Sequence, residues 1–140
     1  MSQPFTNPSE NALRTLLANA RTVAVVGLSG RPGRAATYVS RYLHQAGYRL
    51  FPIHPQSDTV FDLPVHRRLA DVPEPIDVVL VFRRSEDTPP IARDAAAAGA
   101  KVLWLQSGIT HPDIPPIAEN GGMTLVMDRC IMMDHQALLG

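Results

Sequence analysis

The sequence predicts an α/β protein in which a mostly parallel sheet of five to six strands is covered by helices on both faces, the doubly wound arrangement. Short, β-branched apolar runs typical of strands buried on both faces recur along the chain. Segments with helical spacing lie between them, and this alternation favours a parallel sheet. The chain has 140 residues, 45% of them hydrophobic, so we expect one domain spanning residues 1–140.

The chain opens with a predicted helix and a predicted strand. Asn7 is a suitable N-cap, with Pro8 at the first helical position and Glu10 at the third. Residues 22–26 (TVAVV) form a short apolar run suited to a buried strand. Apolar residues then recur at helical spacing over residues 38–46, which predicts the second helix.

The rest of the chain repeats this alternation. Pro52 lacks an N–H donor and favours a strand end, and residues 59–65 hold at most a short edge strand because Pro64 interrupts them. Residues 128–140 show no clear period. Strands are predicted at residues 48–53, 77–82, 101–106 and 123–127, one helix from residue 88 to the stop at residue 99, and a short helix at residues 113–120.

A glycine-rich turn between the first strand and the second helix is the first candidate binding feature. Gly27, Gly30 and Gly33 let the backbone adopt positive φ and approach a ligand without Cβ atoms in the way. The helix that follows offers unpaired N–H groups and a partial positive charge, which suit a phosphate, and Arg31 and Arg34 add charge. The glycine spacing departs from G-x-G-x-x-G, so a turn that only packs the helix on the strand remains an alternative.

Several arginines follow the ends of the predicted strands. The carboxyl ends of parallel strands meet at one edge of a sheet, so these residues should surround one crevice. In a chain that is neutral overall, such a local cluster of cations indicates a polyphosphate ligand. The segments are residues 27–34, 54–55, 82–84, 106–108 and 128–130, and the arginines are Arg31, Arg34, Arg83, Arg84 and Arg129.

Composition excludes several partners and sites. Thirteen basic residues balance thirteen acidic ones, so no overall field favours nucleic acid or an anionic membrane. The single cysteine, Cys130, fits a reducing compartment, and the amino-terminal segment lacks the pattern of a signal peptide, so we expect a cytoplasmic protein. The five histidines show no paired spacing of metal ligands, and no metal site is predicted.

The residues at the end of the second predicted strand indicate whether the ligand is a dinucleotide. NAD sites usually place an acid there, about 20 residues past the glycine turn, to bind the ribose hydroxyls. His54 and Pro55 occupy this position, and Asp58 lies beyond the proline turn. A phosphorylated adenine ligand without that ribose contact therefore fits better than NAD, and an NAD(P)-type protein is kept as an alternative.

Four segments of the chain are distinctive in combination: VAVVGLSGRPGRAATYVSRYLHQAGYRLFPIHP, LADVPEPIDVVLVFRR, AGAKVLWLQSGI and LVMDRC. Together they resemble the small CoA-binding domain proteins, which are similar to the CoA-binding N-terminal domain of the succinyl-CoA synthetase α subunit. The resemblance covers about residues 12–135 and implies a Rossmann-like fold with coenzyme A along the carboxyl edge. Ligase activity is not implied, since those enzymes use a phosphorylated histidine from a further domain. Family members often have asparagine where this chain has His54.

The resemblance yields a set of candidate CoA-binding residues. The phosphates are expected near residues 29–34, with the loops after the other strands lining the rest of the ligand, either CoA or acyl-CoA. The candidates are Gly27, Leu28, Ser29, Arg31, Pro32, Gly33, Arg34, His54, Pro55, Phe82, Arg83, Gln106, Ser107 and Gly108, with Cys130 as a candidate contact of the CoA thiol.

Two further interpretations remain beside a CoA-binding module without catalytic machinery. Cys130 with His135 and either Asp128 or Asp134 could form a thiol enzyme or redox protein, because a nearby histidine holds a thiolate. The apolar residues of the tail could instead form an interaction surface for a partner protein, although such residues more often cover a core.

Overall fold

A five-stranded parallel sheet forms the centre of the protein in the computed structural model, which describes residues 4–28, 33–55 and 59–140. Its strands follow the order β2-β1-β5-β6-β7, and all the pairings are parallel. A separate antiparallel hairpin, β3 with β4, stands where a weak edge strand was predicted. The strands are β1 (Thr22–Val26), β2 (Arg49–Ile53), β3 (Thr59–Val60), β4 (Leu63–Pro64), β5 (Val78–Val81), β6 (Val102–Leu105) and β7 (Thr124–Val126).

Helices cover both faces of the sheet. Alternate residues of each central strand point to opposite faces, as in Val23 against Ala24 and Trp104 against Leu103. One face packs on α1, α2 and α5, and the other on α3 and α4. The doubly wound, Rossmann-like fold is therefore confirmed. The helices are α1 (Glu10–Asn19), α2 (Ala35–Gln45), α3 (Thr88–Ala97), α4 (Ile114–Asn120) and α5 (Ile131–Leu138).

The cap of α1 differs from the prediction. Ser9 is the N-cap, and its hydroxyl accepts the Ala12 N–H at 3.2 Å. Asn7 instead pairs with Met127 just beyond β7: its side-chain amide donates to the Met127 carbonyl, and its Oδ1 accepts the Met127 N–H, both at 2.9 Å. The prediction of Asn7 as cap was wrong because a contact 120 residues away claims the side chain.

The tail forms a helix where the sequence showed no period. Its first turn is anchored by Ile131 and Asp134, which are both buried. Arg129 fixes the entry, since its guanidinium donates twice to the Asp134 carboxylate at 2.7 Å and its carbonyl accepts the Trp104 indole N–H at 2.8 Å. None of the helices in the described part of the chain is long and apolar enough to cross a bilayer.

The strand order locates the switch point of the sheet. The chain leaves β1 toward β2 on one side, whereas β5 and the strands after it extend the sheet on the other. Ligands of doubly wound proteins bind outside the carboxyl ends of the two strands at this point. A ligand is therefore expected next to the residues that follow Val26 and Val81.

Candidate functional site

Gly27 directly follows β1 at its carboxyl end, at the switch point of the sheet. Its φ is +100°, and a Cβ built on it would stand 2.7 Å from the Phe82 carbonyl oxygen. The flanking backbone continues both strand pairings, because the Gly27 N–H donates to Ile53 and the Phe82 N–H donates to Val26. Only glycine fits this position. Leu28, next in the chain, is fully buried in the core.

The amino terminus of α2 faces the same edge. Gly33 has the predicted positive φ, +79°, and exposed Arg34 is the N-cap residue of the helix. The first turn contains no acidic residue, so its N–H groups and its share of the helix dipole are not offset by a carboxylate within the helix. Ser29, Gly30, Arg31 and Pro32 lie outside the described residues.

A cavity of about 230 Å³ opens beside Gly27 at the switch point. Arg83 from the loop after β5 lines it, together with Arg67 and Arg68, two cations that the sequence interpretation missed. A parallel bridge between Ile53 and His66 brings this pair to the end of β2. The only sequence signal was the adjacent pair itself; the bridge that gives it meaning joins segments 13 residues apart and leaves no local pattern.

The end of β2 carries the residues predicted to replace the usual acid. His54 is half-buried and Pro55 exposed, and Pro55 lines the same cavity. The backbone of His54 is fully engaged: its N–H donates to the His66 carbonyl at 3.0 Å, and its carbonyl accepts from Arg67 Nη1 at 3.2 Å. This strand end is thus held rigidly next to Gly27.

Ion pairs divide the predicted arginine cluster into two groups. Arg84 donates to Asp87 at 3.1 Å, and the hydrogen bond and charge of Asp87, with the charge of Glu86, raise the pKa of its guanidinium. Arg129 is held by Asp134, which likewise raises its pKa. In both arginines, the acidic partner offsets part of the positive charge that a ligand would otherwise meet. Within the described part of the chain, Arg34 and Arg83 make no ion pair.

The loop after β6 continues the edge. Gln106 is buried, and its side-chain oxygen accepts the Ile131 N–H at 3.2 Å, so this side chain positions α5. The Gly108 N–H donates to the Asp128 carboxylate at 2.6 Å, which ties the loops after β6 and β7 together. Ser107 and Gly108 are exposed beside them and remain accessible to a ligand.

The candidate thiol site does not assemble a catalytic pair. Cys130 is the half-buried N-cap residue of α5, and His135 lies five residues on, about 7.5 Å along the axis and about 140° around it. The His135 ring is held elsewhere, because Nδ1 pairs with the Tyr42 hydroxyl at 2.6 Å and the ring packs edge-on against Tyr48. Burial lowers the pKa of His135, so the imidazole is neutral at pH 7. This arrangement does not favour the thiol-enzyme interpretation.

Comparison with known families shows which family the chain belongs to. The model of a family described as "CoA binding domain" matches residues 21–136, which in the described chain include every strand, helices α2 to α4 and most of α5. The chain belongs to the CoA-binding domain family. The family prediction is thereby confirmed, and the NAD(P) interpretation is not favoured.

Individual relatives agree with this assignment. The CoA-binding domain is 36% identical to YneT of Bacillus subtilis, over 92% of this chain and 96% of that protein. A hypothetical protein from Pyrococcus horikoshii has a solved structure that matches with a TM-score of 0.93 at 30% identity, covering 100% of this chain and 99% of the other. An ADP-forming 4-hydroxybutyrate–CoA ligase of Nitrosopumilus maritimus is 25% identical over 79% of this chain, which spans only 18% of the ligase.

Proposed function

We propose that this protein binds coenzyme A along the carboxyl edge of its sheet, with the ligand phosphates at the glycine-rich turn and the first turn of α2. The observation that supports this most is the cavity beside Gly27 at the switch point, which Arg67, Arg68 and Arg83 line. Around it stand a helix terminus without an acid and the cations Arg34 and Arg83, which form no ion pair with any described residue. Charge-assisted hydrogen bonds from such groups suit a polyphosphate.

The proposed site extends over three strand ends. The turn from Gly27 to Arg34 takes the phosphates. Pro55 and the cavity beside it take the adenosine end of the ligand, and the loop after β6 borders the pantetheine arm. The residues assigned to this site are Gly27, Leu28, Ser29, Arg31, Pro32, Gly33, Arg34, His54, Pro55, Phe82, Arg83, Gln106, Ser107 and Gly108, to which the structure adds Arg67 and Arg68 as neighbours of the cavity.

We assign a binding role and no catalytic step. Two carboxylates next to the edge are occupied: Asp128 accepts from the Gly108 N–H, and Asp134 accepts from the Arg129 guanidinium. The ligase relative named above carries CoA in its name, and this chain matches a small part of it, so a CoA-holding role fits without the ligase reaction.

The arginines test the proposal. Replacing Arg34 and Arg83 together with alanine should weaken CoA binding at least tenfold, because charge-assisted hydrogen bonds contribute about 1.5 to 3 kcal/mol each. Isothermal titration calorimetry measures the change. Arg84→Ala is the matched control, since Arg84 follows Arg83 in the same loop but is paired with Asp87, and its CoA affinity should stay within about twofold of the parent protein. Equal affinity in the double variant and the parent protein would remove both arginines from the site.

A further inference from the structure

An apolar groove of about 820 Å³ runs along the β7 end of the sheet, between α4 and the amino-terminal segment. Its apolar lining includes Met123, Leu125 and Met127, and Phe5 forms its outer wall. The volume lies within the range of small-molecule sites. We call this feature the β7 groove. It is separate from the cavity beside Gly27.

The β7 groove begins at the carboxyl edge of the sheet. Thr110 and His111, from the loop after β6, line it together with Met127, which directly follows β7. It continues toward Met123, which precedes β7, and so runs back along the strand. From Met123 to Met127 the chain advances four residues, which corresponds to a length of about 13 Å.

The groove starts where the proposed CoA ligand would end. From β1, where the phosphates are assigned, to β7 there are three strand spacings, which amount to about 14 Å. The pantetheine arm has twelve bonds between its phosphate oxygen and its sulfur, as many as four residues of extended chain, and so reaches about 14 Å. An arm lying along the edge therefore brings its sulfur to the end of β7.

The walls of the groove suit an alkyl chain better than a peptide. Pro4, Pro112, Pro115 and Pro116 line it, and none of them has an N–H to donate. A peptide strand that followed β7 past its carboxyl end would meet Asn7, which already occupies both the N–H and the carbonyl of Met127. An alkyl chain needs neither donors nor acceptors.

We propose that the ligand of this protein is an acyl-CoA whose acyl chain, of up to about ten carbons, lies in the β7 groove. This inference rests on the proposed CoA-binding function and specifies its substrate class. The length follows from the 13 Å estimate, because three backbone bonds span about 3.5 Å in an extended chain. No bond forms or breaks.

Titration with a chain-length series tests the inference. CoA, acetyl-CoA, hexanoyl-CoA, decanoyl-CoA and myristoyl-CoA are titrated into the full chain by calorimetry, each below its micelle concentration. A buried methylene tightens binding about fourfold, equivalent to about 0.8 kcal/mol, and partial burial in an open groove about halves that energy. We therefore expect decanoyl-CoA to bind at least tenfold more tightly than hexanoyl-CoA, and myristoyl-CoA to gain less than twofold over decanoyl-CoA.

Two variants and one control test whether the acyl chain lies in the β7 groove. Met123→Trp fills the far end of the β7 groove and should remove the gain from hexanoyl-CoA to decanoyl-CoA, while leaving the affinity for CoA itself unchanged. Met133→Trp makes the same change on exposed α5, where the side chain is 63% exposed, and should keep that gain. Phe5→Ala opens the outer wall and should weaken decanoyl-CoA about fivefold without touching the core. It serves as the second variant if Met123→Trp does not fold.

The outcomes separate this inference from the function on which it rests. If CoA binds but affinity is the same along the series, or if Met123→Trp and Met133→Trp behave alike, the groove does not hold the acyl chain and CoA binding still stands. Equal affinity would also be the result if a second copy of the chain filled the groove. If neither CoA nor any acyl-CoA binds, the proposed function fails, and this inference fails with it.

Discussion

At the scale of single residues, Gly27 occupies a position where any side chain would destabilise the folded protein. Its positive φ disfavours any other residue, and the Phe82 carbonyl leaves no space for a Cβ. Gly47, at the end of α2, shares the backbone conformation, with a φ of +103°, but a Cβ there would meet nothing within 4 Å. The two glycines thus separate backbone strain from steric conflict.

Replacing Gly27 with alanine should lower the free energy of unfolding by more than the same change at Gly47. The strained φ costs about 1 kcal/mol or more at either position, and the clash with Phe82 adds to it only at Gly27. Urea unfolding of the two variants measures the difference. Gly27→Ala should also weaken CoA binding, because the new methyl group narrows the switch point. If the two variants are equally stable, Phe82 moves aside and the close approach is not what requires glycine.

At the scale of elements, one carboxylate holds the amino-terminal edge of the sheet together. Asp77, just before β5, accepts the N–H groups of Arg21 at 2.7 Å and Thr22 at 3.2 Å, at the start of β1. Lys101, before β6, lies 3.5 Å away. Burial alone would raise the pKa of the Asp77 carboxyl, but these donors outweigh burial and lower it. Three neighbouring strands are thereby joined at the edge opposite the proposed site.

Asp77→Asn should lower the free energy of unfolding by about 1 to 2 kcal/mol at pH 7. Because the pKa of Asp77 is lower in the folded state, its contribution is complete above the unfolded value near 4 and is lost as pH falls through the folded value. The difference in the free energy of unfolding between variant and parent protein should therefore become smaller below about pH 4. Urea unfolding at pH 7 and at pH 3 measures it, with Asp94→Asn on the exposed surface of α3 as control. A gap that is equal at both pH values would contradict the assignment.

The carboxyl-terminal helix shows how a weak local pattern becomes a defined element. Eight residues are too few to form a stable helix alone, so α5 depends on contacts at its entry. Asp134 pairs with Arg129, Gln106 accepts the first N–H, and Ile131 enters the core. These same contacts remove Arg129 from the group of cations available to a ligand.

At the scale of the whole molecule, ligand binding should appear as stability. A ligand that binds only the folded state adds about 2.7 kcal/mol at a concentration one hundred times its dissociation constant, which raises the melting temperature of a chain of this size by roughly 5 to 10 °C. NAD should bind at least tenfold more weakly, because the protein has no acid at the end of β2 to bind the ribose hydroxyls. At equal concentration its shift should be about half as large. Differential scanning fluorimetry with CoA and NAD measures both, and an equal or larger shift with NAD would contradict the CoA assignment.

Local pattern was enough to predict the fold and the position of the proposed site. Apolar runs of strand length alternating with helical segments define a parallel sheet, and parallel strands bring their carboxyl ends to one edge. The position of the turn at Gly27 follows directly from this rule, whereas the family was inferred from the resemblance of four sequence segments to known proteins. These features depend on residues adjacent in sequence or on topology.

Tertiary structure alone decided which side chains are available at that edge. Arg84 and Arg129 looked equivalent to Arg83 in the sequence, but each has an acidic partner in the folded protein. Arg67 lines the cavity because its segment pairs with the end of β2. Asn7 does not cap α1, because its side chain binds the backbone of Met127 just beyond β7. In each case a contact between segments replaces a local preference, because the hydrogen bond or ion pair it forms stabilises the fold at least as much as the local preference would.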